Sequence, residues 1–210
     1  MDTRAIKIWR AGVDAVGGYE ATRAALKAAD SQTPDQIVAV GKAAGDMARA
    51  ALDQFGSLPA LVVTKDGHAE DLPDAVHIIE SSHPVPDARS LTAGRALRTW
   101  VQGMAPGTHL LLLVSGGASS LAEDPVEGKT LSDLQTLNSR LLADGLDITA
   151  MNIERRKISR IKGGGLLGAF TGQAAQVLAI SDVPGDDLSV IGSGIGAPPE
   201  PCPFNCETRI

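Results

Sequence analysis

Aromatic residues supply only 3% of this 210-residue chain. A core without them has to be assembled from Leu, Ile, Val, Ala and Met. Cysteine is scarcer still, with Cys202 and Cys206 the whole supply. Two thiols at the end of the chain make neither a disulfide framework nor a four-ligand zinc site, so a reducing cytoplasm is the natural setting. No apolar run approaches the roughly 20 residues of a membrane helix. The opening stretch "MDTRAIKIWRAG" lacks the apolar centre of a signal peptide. Excess positive charge is absent too, since the formal net charge is −6. That argues against a chain-wide attraction to nucleic acid or to an anionic membrane, and any anion site must be local. Two catalytic signatures are also missing. No G-x-G-x-x-G follows a strand, which leaves a standard dinucleotide site unsupported. No G-x-S-x-G elbow or Cys–His pair is present, which removes support for nucleophilic hydrolysis.

What is present is an alternation of two apolar rhythms. Ile6, Trp9, Val13 and Val16 recur at helical spacing, and a second helical stretch runs from Tyr19 to Ala29. "QIVAVGK" (36–42) then reads as a buried strand. A helix follows with Met47, Ala51 and Phe55 on one face. "PALVVTK" (59–65) and "AVHIIESS" (75–82) read as the next strands. Asp87 opens a helix whose stripe is Leu91, Gly94, Leu97 and Val101, and "HLLLLVS" (109–115) is the fourth strand. Thr130-x-x-Asp133 has the spacing of a capping box before a further helix, and another covers Asp147–Lys157. "AQVLAISD" (175–182) is the fifth strand. Strand–helix alternation with near-continuous apolar strands predicts an α/β fold: a parallel sheet with helices on both faces. Such sheets bind ligands beyond the carboxyl ends of their strands.

Those ends are therefore the places to look for chemistry. After the fourth strand, Ser115, Gly116, Gly117, Ser119 and Ser120 read either as a tight turn with serine caps or as an anion cradle. Lys42 follows the first strand at a helix start, where it opposes the helix dipole. It is either a solvated lysine or a contact to an anionic ligand. In "NIERRKISRIKGGG" most of the five cations read as a solvated face. Arg155 and Lys162 are the candidates for an anion site, with Lys162 directly before a glycine-rich helix start. In "SDVPGDD", Asp182 and Asp187 are either loop acids or carboxylates that hold Mg²⁺. His83, within "SSHPVPD", is either a loop histidine or a substrate contact that moves a proton. Together the strand ends offer two lysines, Gly/Ser cradles and a carboxylate, a set that suits a phosphoryl group, its metal and a small anionic acid.

"VGKAAGDMARAAL", "SSHPVPDARS", "LLLVSGGASSL", "NIERRKISRIKGGGL" and "AISDVPGDDLSVIGSG" follow one another as they do in the glycerate 2-kinase family, which the chain resembles from about Ile6 to Gly194. Older labels for that family read hydroxypyruvate reductase. The resemblance implies ATP-dependent phosphorylation of the 2-hydroxyl of D-glycerate, with ATP and Mg²⁺ as cofactors. It also implies a Rossmann-like domain facing a smaller second domain across the active-site cleft. Carried over by position, Lys42, Lys162 and Asp182 are the expected catalytic residues. Ser115, Gly116, Gly117, Ser119, Ser120, Arg155 and His83 are expected to bind substrate or phosphate. Asp182 and Asp187 are the expected metal ligands.

The chain also departs from the pattern. Ser82 and Lys157 stand where relatives often carry glycine and histidine. After Gly194 the sequence "IGAPPEPCPFNCETRI" is unlike the family, and Pro198, Pro199, Pro201 and Pro203 rule out a regular helix there. The expected division is a domain over 1–194 and an irregular tail over 195–210. The family's second domain is expected to be absent. On this reading, activity requires completion of the cleft by a second chain, and self-association is an alternative use of the uncovered face. Three competing readings stay open at this point. They are an oxidoreductase acting on hydroxypyruvate or tartronate semialdehyde, a non-catalytic anion-binding remnant, and a sugar-phosphate-binding domain of similar build.

Overall fold

Apolar runs with no polar face need cover on both sides, and the central strands of a parallel sheet obtain it. The computed structural model, which describes residues 3–28, 32–69, 71–145 and 148–210, forms such a sheet. Its strands are β1 (Gln36–Val40), β2 (Ala60–Lys65), β3 (His77–Ser81), β4 (His109–Val114), β5 (Ala174–Ala179) and β6 (Asn205–Arg209). They lie in the order β3-β2-β1-β4-β5-β6, and every pairing is parallel. β1 and β4 sit in the middle with Val38 opposite Leu112, and both residues are fully buried. The chain winds outward in one direction from β1 and in the other from β4. The switch point between these two strands opens a crevice at their carboxyl ends.

The described helices are α1 (Thr3–Ala15), α2 (Gly18–Ala28), α3 (Ala44–Phe55), α4 (Ala88–Gln102), α5 (Ala118–Leu121), α6 (Leu131–Ala143), α7 (Ile148–Arg156) and α8 (Gly165–Gly168). Alternate residues of each strand feed two separate cores. Val38, Val40, Leu110, Leu112 and Val114 meet Ala93, Leu97 and Val101 of α4 on one face. Ile37, Ala39, Leu111 and Leu113 meet Met47, Ala48 and Ala51 of α3 on the other. The helices therefore cover both faces, as the pattern of residues requires. Asp87 caps α4 by accepting from Arg89 N (2.8 Å), and Ser90 returns the capping-box bond to Asp87 N. Thr130 and Asp133 exchange the capping-box bonds that start α6. Ala29 and Asp147, expected at helix ends, lie outside the described residues.

Two features depart from the sequence reading. The tail at 195–210 is not irregular throughout, because β6 joins the sheet beside β5. The prolines stop at residue 203, which leaves the N–H groups of 205–209 free to enter a ladder. Phe204 packs edge-on against Phe170, with ring centroids 5.0 Å apart, and Ile195 and Ala197 are buried ahead of it. The second departure is α1. The helix forms as its spacing predicts, yet Trp9, Val13 and Val16 remain exposed and α1 buries no residue against the described chain.

Candidate active site

The β1 and β4 ends are laced together by backbone contacts. Lys42 N–H donates to the Gly116 carbonyl (3.0 Å), and Ala43 N–H donates to the Ser115 hydroxyl (3.0 Å). Gly41 permits this lacing. Its φ is +134°, and a side-chain carbon there would sit on the Ser115 backbone, 2.8 Å from its carbonyl carbon. Ser115 is thus a brace between strands, 2% exposed, rather than a free arm of a cradle. The next two residues carry the site. A side-chain carbon on Gly116 would fall on the Asp182 carboxylate, 2.8 Å from Cγ. One on Gly117 would lie 3.0 Å from both the His83 ring and the Lys42 stem. Lys42, His83 and Asp182 come from three different strand ends. The structure gathers them around two glycines at the switch point.

The helix expected after Gly117 is a single turn, α5, whose dipole is correspondingly small. Anion attraction here rests on side chains instead. His83 is held below the ordinary histidine value of 6.5, first by burial and then by the charges of Lys42 and Lys65. Two lysines facing one imidazole make this corner electropositive at the ring. The ring is therefore neutral at pH 7, able to donate or accept a hydrogen bond without adding charge. Because its folded pKa is depressed, His83 has no effect on stability above about pH 6.5 and lowers stability as pH falls from there toward the folded value. A ring-proton NMR titration is expected to place His83 below 6.5 and to move it upward when inorganic phosphate is added. A midpoint at or above 6.5 without phosphate would remove the electropositive corner.

Beyond Gly117 the surface drops into a cavity of about 360 Å³, with His83, Ser119, Ser120, Arg155 and Lys162 in its wall. Arg155 is half-buried, and its Nε donates to Asn138 Oδ1 (2.8 Å). Burial pulls its pKa down, while the more distant Glu123 charge opposes that shift. A desolvated guanidinium held by a neutral amide is a receptor suited to a carboxylate or phosphate. Lys162 lines the same cavity in a different state. Its Nζ is ion-paired with Glu123 Oε2, with both side chains at most 5% exposed. Glu123 also accepts from the Ser159 hydroxyl (2.5 Å) and from Asp124 N (3.1 Å). Ser119 lies open on the cavity wall, whereas Ser120 donates to the Gly117 carbonyl (3.1 Å).

Several sequence readings change here. The glycines after Lys162 do not form a free anion nest. Gly163 N and Gly164 N donate to the carbonyls of Ser193 and Gly194, and α8 is only one turn long. Arg156 and Arg160 have internal partners as well as solvent. Arg156 donates to the Ser189 carbonyl, and Arg160 pairs with the buried Asp124 at 2.6 Å. Asp187 is engaged locally, with Oδ1 accepting from Ser189 N (2.8 Å), and hydrogen bonding to Ser189 pulls its carboxyl pKa down. No group of three or more His, Cys, Asp or Glu side chains gathers among the described residues. Asp182 is the carboxylate placed against the glycine loop. Glu123, Asp124 and Asn138 were not singled out from the sequence. The only signal was an acidic pair in a loop directly after the fourth strand's turn.

A six-stranded doubly wound sheet with a glycine-floored cleft at its switch point defines an α/β domain of the doubly wound class. Residues 4–206 match a family model described as a domain of unknown function, DUF4147, and the chain belongs to that family. It is 41% identical over 160 residues to a D-glycerate 2-kinase of Thermotoga maritima, a match covering 75% of this chain and 38% of that protein. It is 44% identical over 161 residues to an Agrobacterium vitis protein that carries a provisional hydroxypyruvate reductase name, covering 75% of this chain and 36% of the relative. The fold superposes on the crystal structure of a Thermotoga maritima glycerate kinase with a TM-score of 0.84 at 38% identity. That match covers 92% of this chain and 47% of the other. The chain thus spans less than half the length of these relatives.

Proposed function

We propose that the chain forms one wall of a glycerate 2-kinase, phosphorylating the 2-hydroxyl of D-glycerate with ATP. The observation that carries this reading is the convergence of Lys42, His83 and Asp182 on Gly116-Gly117, beside a cavity that presents Arg155. The kinase names of relatives that share this fold support it. In the reaction the substrate's 2-oxygen bonds to the γ-phosphorus of ATP, the bond from that phosphorus to the bridging oxygen breaks, and ADP leaves. The hydroxyl proton has to go to a base, and Asp182 and His83 are the groups placed to take it. Lys42 neutralises charge on the transferred phosphoryl group, and Arg155 holds the acid's carboxylate. Lys162, paired with Glu123, offers its remaining N–H donors to the cavity. The donor set suits Mg²⁺ held by one protein carboxylate, Asp182, with the nucleotide phosphates supplying other ligands. When bound, the metal supplies charge neutralisation along the phosphates. Asp187 is a weaker ligand candidate because its carboxylate is engaged by the Ser189 backbone.

Positioning and exclusion of water dominate phosphoryl transfer, and a single wall supplies only part of each. The full reaction is therefore assigned to this wall joined by a second one, whether further residues of the same protein, a separate chain or a second copy. The test supplies ATP, Mg²⁺ and D-glycerate to the chain, alone and with the remaining portion of a related kinase. Formation of 2-phosphoglycerate is read by coupling to enolase. Transfer that disappears in Lys42→Ala is the expected result. Oxidation of NAD(P)H by hydroxypyruvate without any phosphoryl transfer would sink the proposal and favour the reductase label carried by one relative.

A further inference from the structure

Arg155 reaches the cavity with a partner unlike those of its neighbouring cations. Arg160 pairs with the Asp124 carboxylate and Lys162 with the Glu123 carboxylate. Arg155 is held instead by the side-chain amide of Asn138, whose Oδ1 accepts from Arg155 Nε at 2.8 Å. The two residues come from different helices, α6 and α7, and both line the cavity. Gln135, Asn138 and Ser139, spaced as neighbours on one helix face, bring α6 to the cavity wall. Gln135 Nε2 donates to the Pro86 carbonyl (3.1 Å), so the helix that carries Asn138 is tied to the loop that carries His83. The bond from Nε occupies one side of the guanidinium and leaves the N–H groups of both terminal nitrogens for a ligand. Those two nitrogens form an end-on fork that matches the two oxygens of a carboxylate.

We propose that Asn138 is a positioning and specificity-determining residue of this cavity: it aims the Arg155 fork at the carboxylate of a small hydroxy acid and, being neutral, leaves the guanidinium charge to that ligand. If fixing Arg155 were its whole duty, a carboxylate at this position would serve better, because a bond between two ionised groups is stronger than one to a neutral amide. A carboxylate would also cancel the charge that an incoming anion needs. The amide keeps the geometry and spares the charge. Asn138 Nδ2 has no hydrogen-bond partner among the described residues, so the same side chain brings a free donor to the cavity wall. A 2-hydroxy acid carries an oxygen for such a donor next to its carboxylate. Lys162 is less suited to this selection, because its charge is already answered by Glu123. The inference rests on the reading of Arg155 as the receptor for the acid in the proposed kinase.

The test titrates the full chain with D-glycerate and follows the Arg155 Nε–H signal in a proton–nitrogen NMR spectrum, assigned by its loss in Arg155→Lys. In the wild-type chain the signal should shift and saturate. Asn138→Ala should weaken binding by about tenfold, the order of the cost when the ligand has to order a long side chain itself. Asn138→Asp should weaken it by about tenfold or more, while its melting midpoint equals or exceeds that of wild type. A merely structural role would not give that split, since aspartate would restore a structural acceptor. In the completed enzyme both substitutions should raise KM for D-glycerate and leave KM for ATP unchanged. A wild-type Arg155 signal that ignores D-glycerate, or either Asn138 variant binding it as wild type does, would overturn the inference. The kinase reading fails separately. Binding of D-glycerate that depends on Asn138, with no phosphoryl transfer in the completed enzyme, would sink that reading and leave Asn138 its role.

Discussion

Glu123→Ala is expected to destabilise the domain by about 3–5 kcal/mol, the range for removing one partner of a buried ion pair. Lys162 would be left charged at 5% exposure with no counter-ion, and the Ser159 hydroxyl and Asp124 N–H would lose their acceptor. Glu123 cannot relax away from this duty, because its own backbone is trapped. Its N–H donates to the Ser90 carbonyl (2.9 Å), and Gly94 of α4 lies so close that a side-chain carbon there would be 2.7 Å from Glu123 N. Urea unfolding monitored by circular dichroism should show the midpoint falling with the slope unchanged. Glu123→Gln keeps acceptor capacity for Ser159 and Asp124 N and is expected to lose less. Replacing Glu123 and Lys162 together with apolar residues of similar volume should recover much of the loss, since no charge is then stranded. A Glu123→Ala chain within about 1 kcal/mol of wild type would show that the pair does not hold the 159–162 segment in place.

That ion pair marks the limit of what the chain discloses before folding. The strands were legible because β1, β2, β4 and β5 are apolar runs interrupted by polar punctuation, and parallel strands covered on both faces must look like that. Asp87 and the Thr130/Asp133 pair announced helix starts because capping is a local interaction between residues two or three positions apart. The family match through residue 206 and the pairing of β6 with β5 take the domain past Gly194, where sequence reasoning ended it. Prolines at 198, 199, 201 and 203 forbid a helix through those positions and say nothing about the residues after them.

The candidate site divides along the same line. Lys42, His83, Gly116, Gly117 and Asp182 were legible because each follows a strand, and the fold sends every strand end to one edge. Charge partners were not legible. Arg160 meets Asp124 and Lys162 meets Glu123 across separations of 36 and 39 residues. In a linear reading, the cations of 155–162 had solvent or an incoming anion to face, but no internal partner. Tertiary structure instead neutralises Arg160 and Lys162 with buried carboxylates and leaves Arg155 on an amide. The cation available to an incoming anion in the cavity is therefore set by which basic residues find internal partners, and that is a property of packing.

Gly116→Ala is expected to separate function from stability. The φ of Gly116 lies outside the left-handed region, so its backbone accepts alanine without conformational strain. The added methyl instead lands on the Asp182 carboxylate, 2.8 Å from Cγ. Asp182 is exposed, so it can swing aside at little cost to folding, and the melting midpoint should move by no more than a few degrees, roughly the shift of a 1 kcal/mol change. Displacement of a reacting or metal-holding group by about 1 Å costs on the order of 100-fold in rate. Phosphoryl transfer to D-glycerate in the completed enzyme should fall by about that factor, mainly in kcat. The cause can be checked by combination. If the methyl acts through Asp182, then Asp182→Ala alone and the Gly116→Ala, Asp182→Ala double variant should have similar rates, because the displaced group is already gone. Independent, multiplying losses would place the effect of Gly116 elsewhere in the cleft, and an Asp182→Ala chain that keeps the wild-type rate would leave Asp182 without its assigned part in the chemistry.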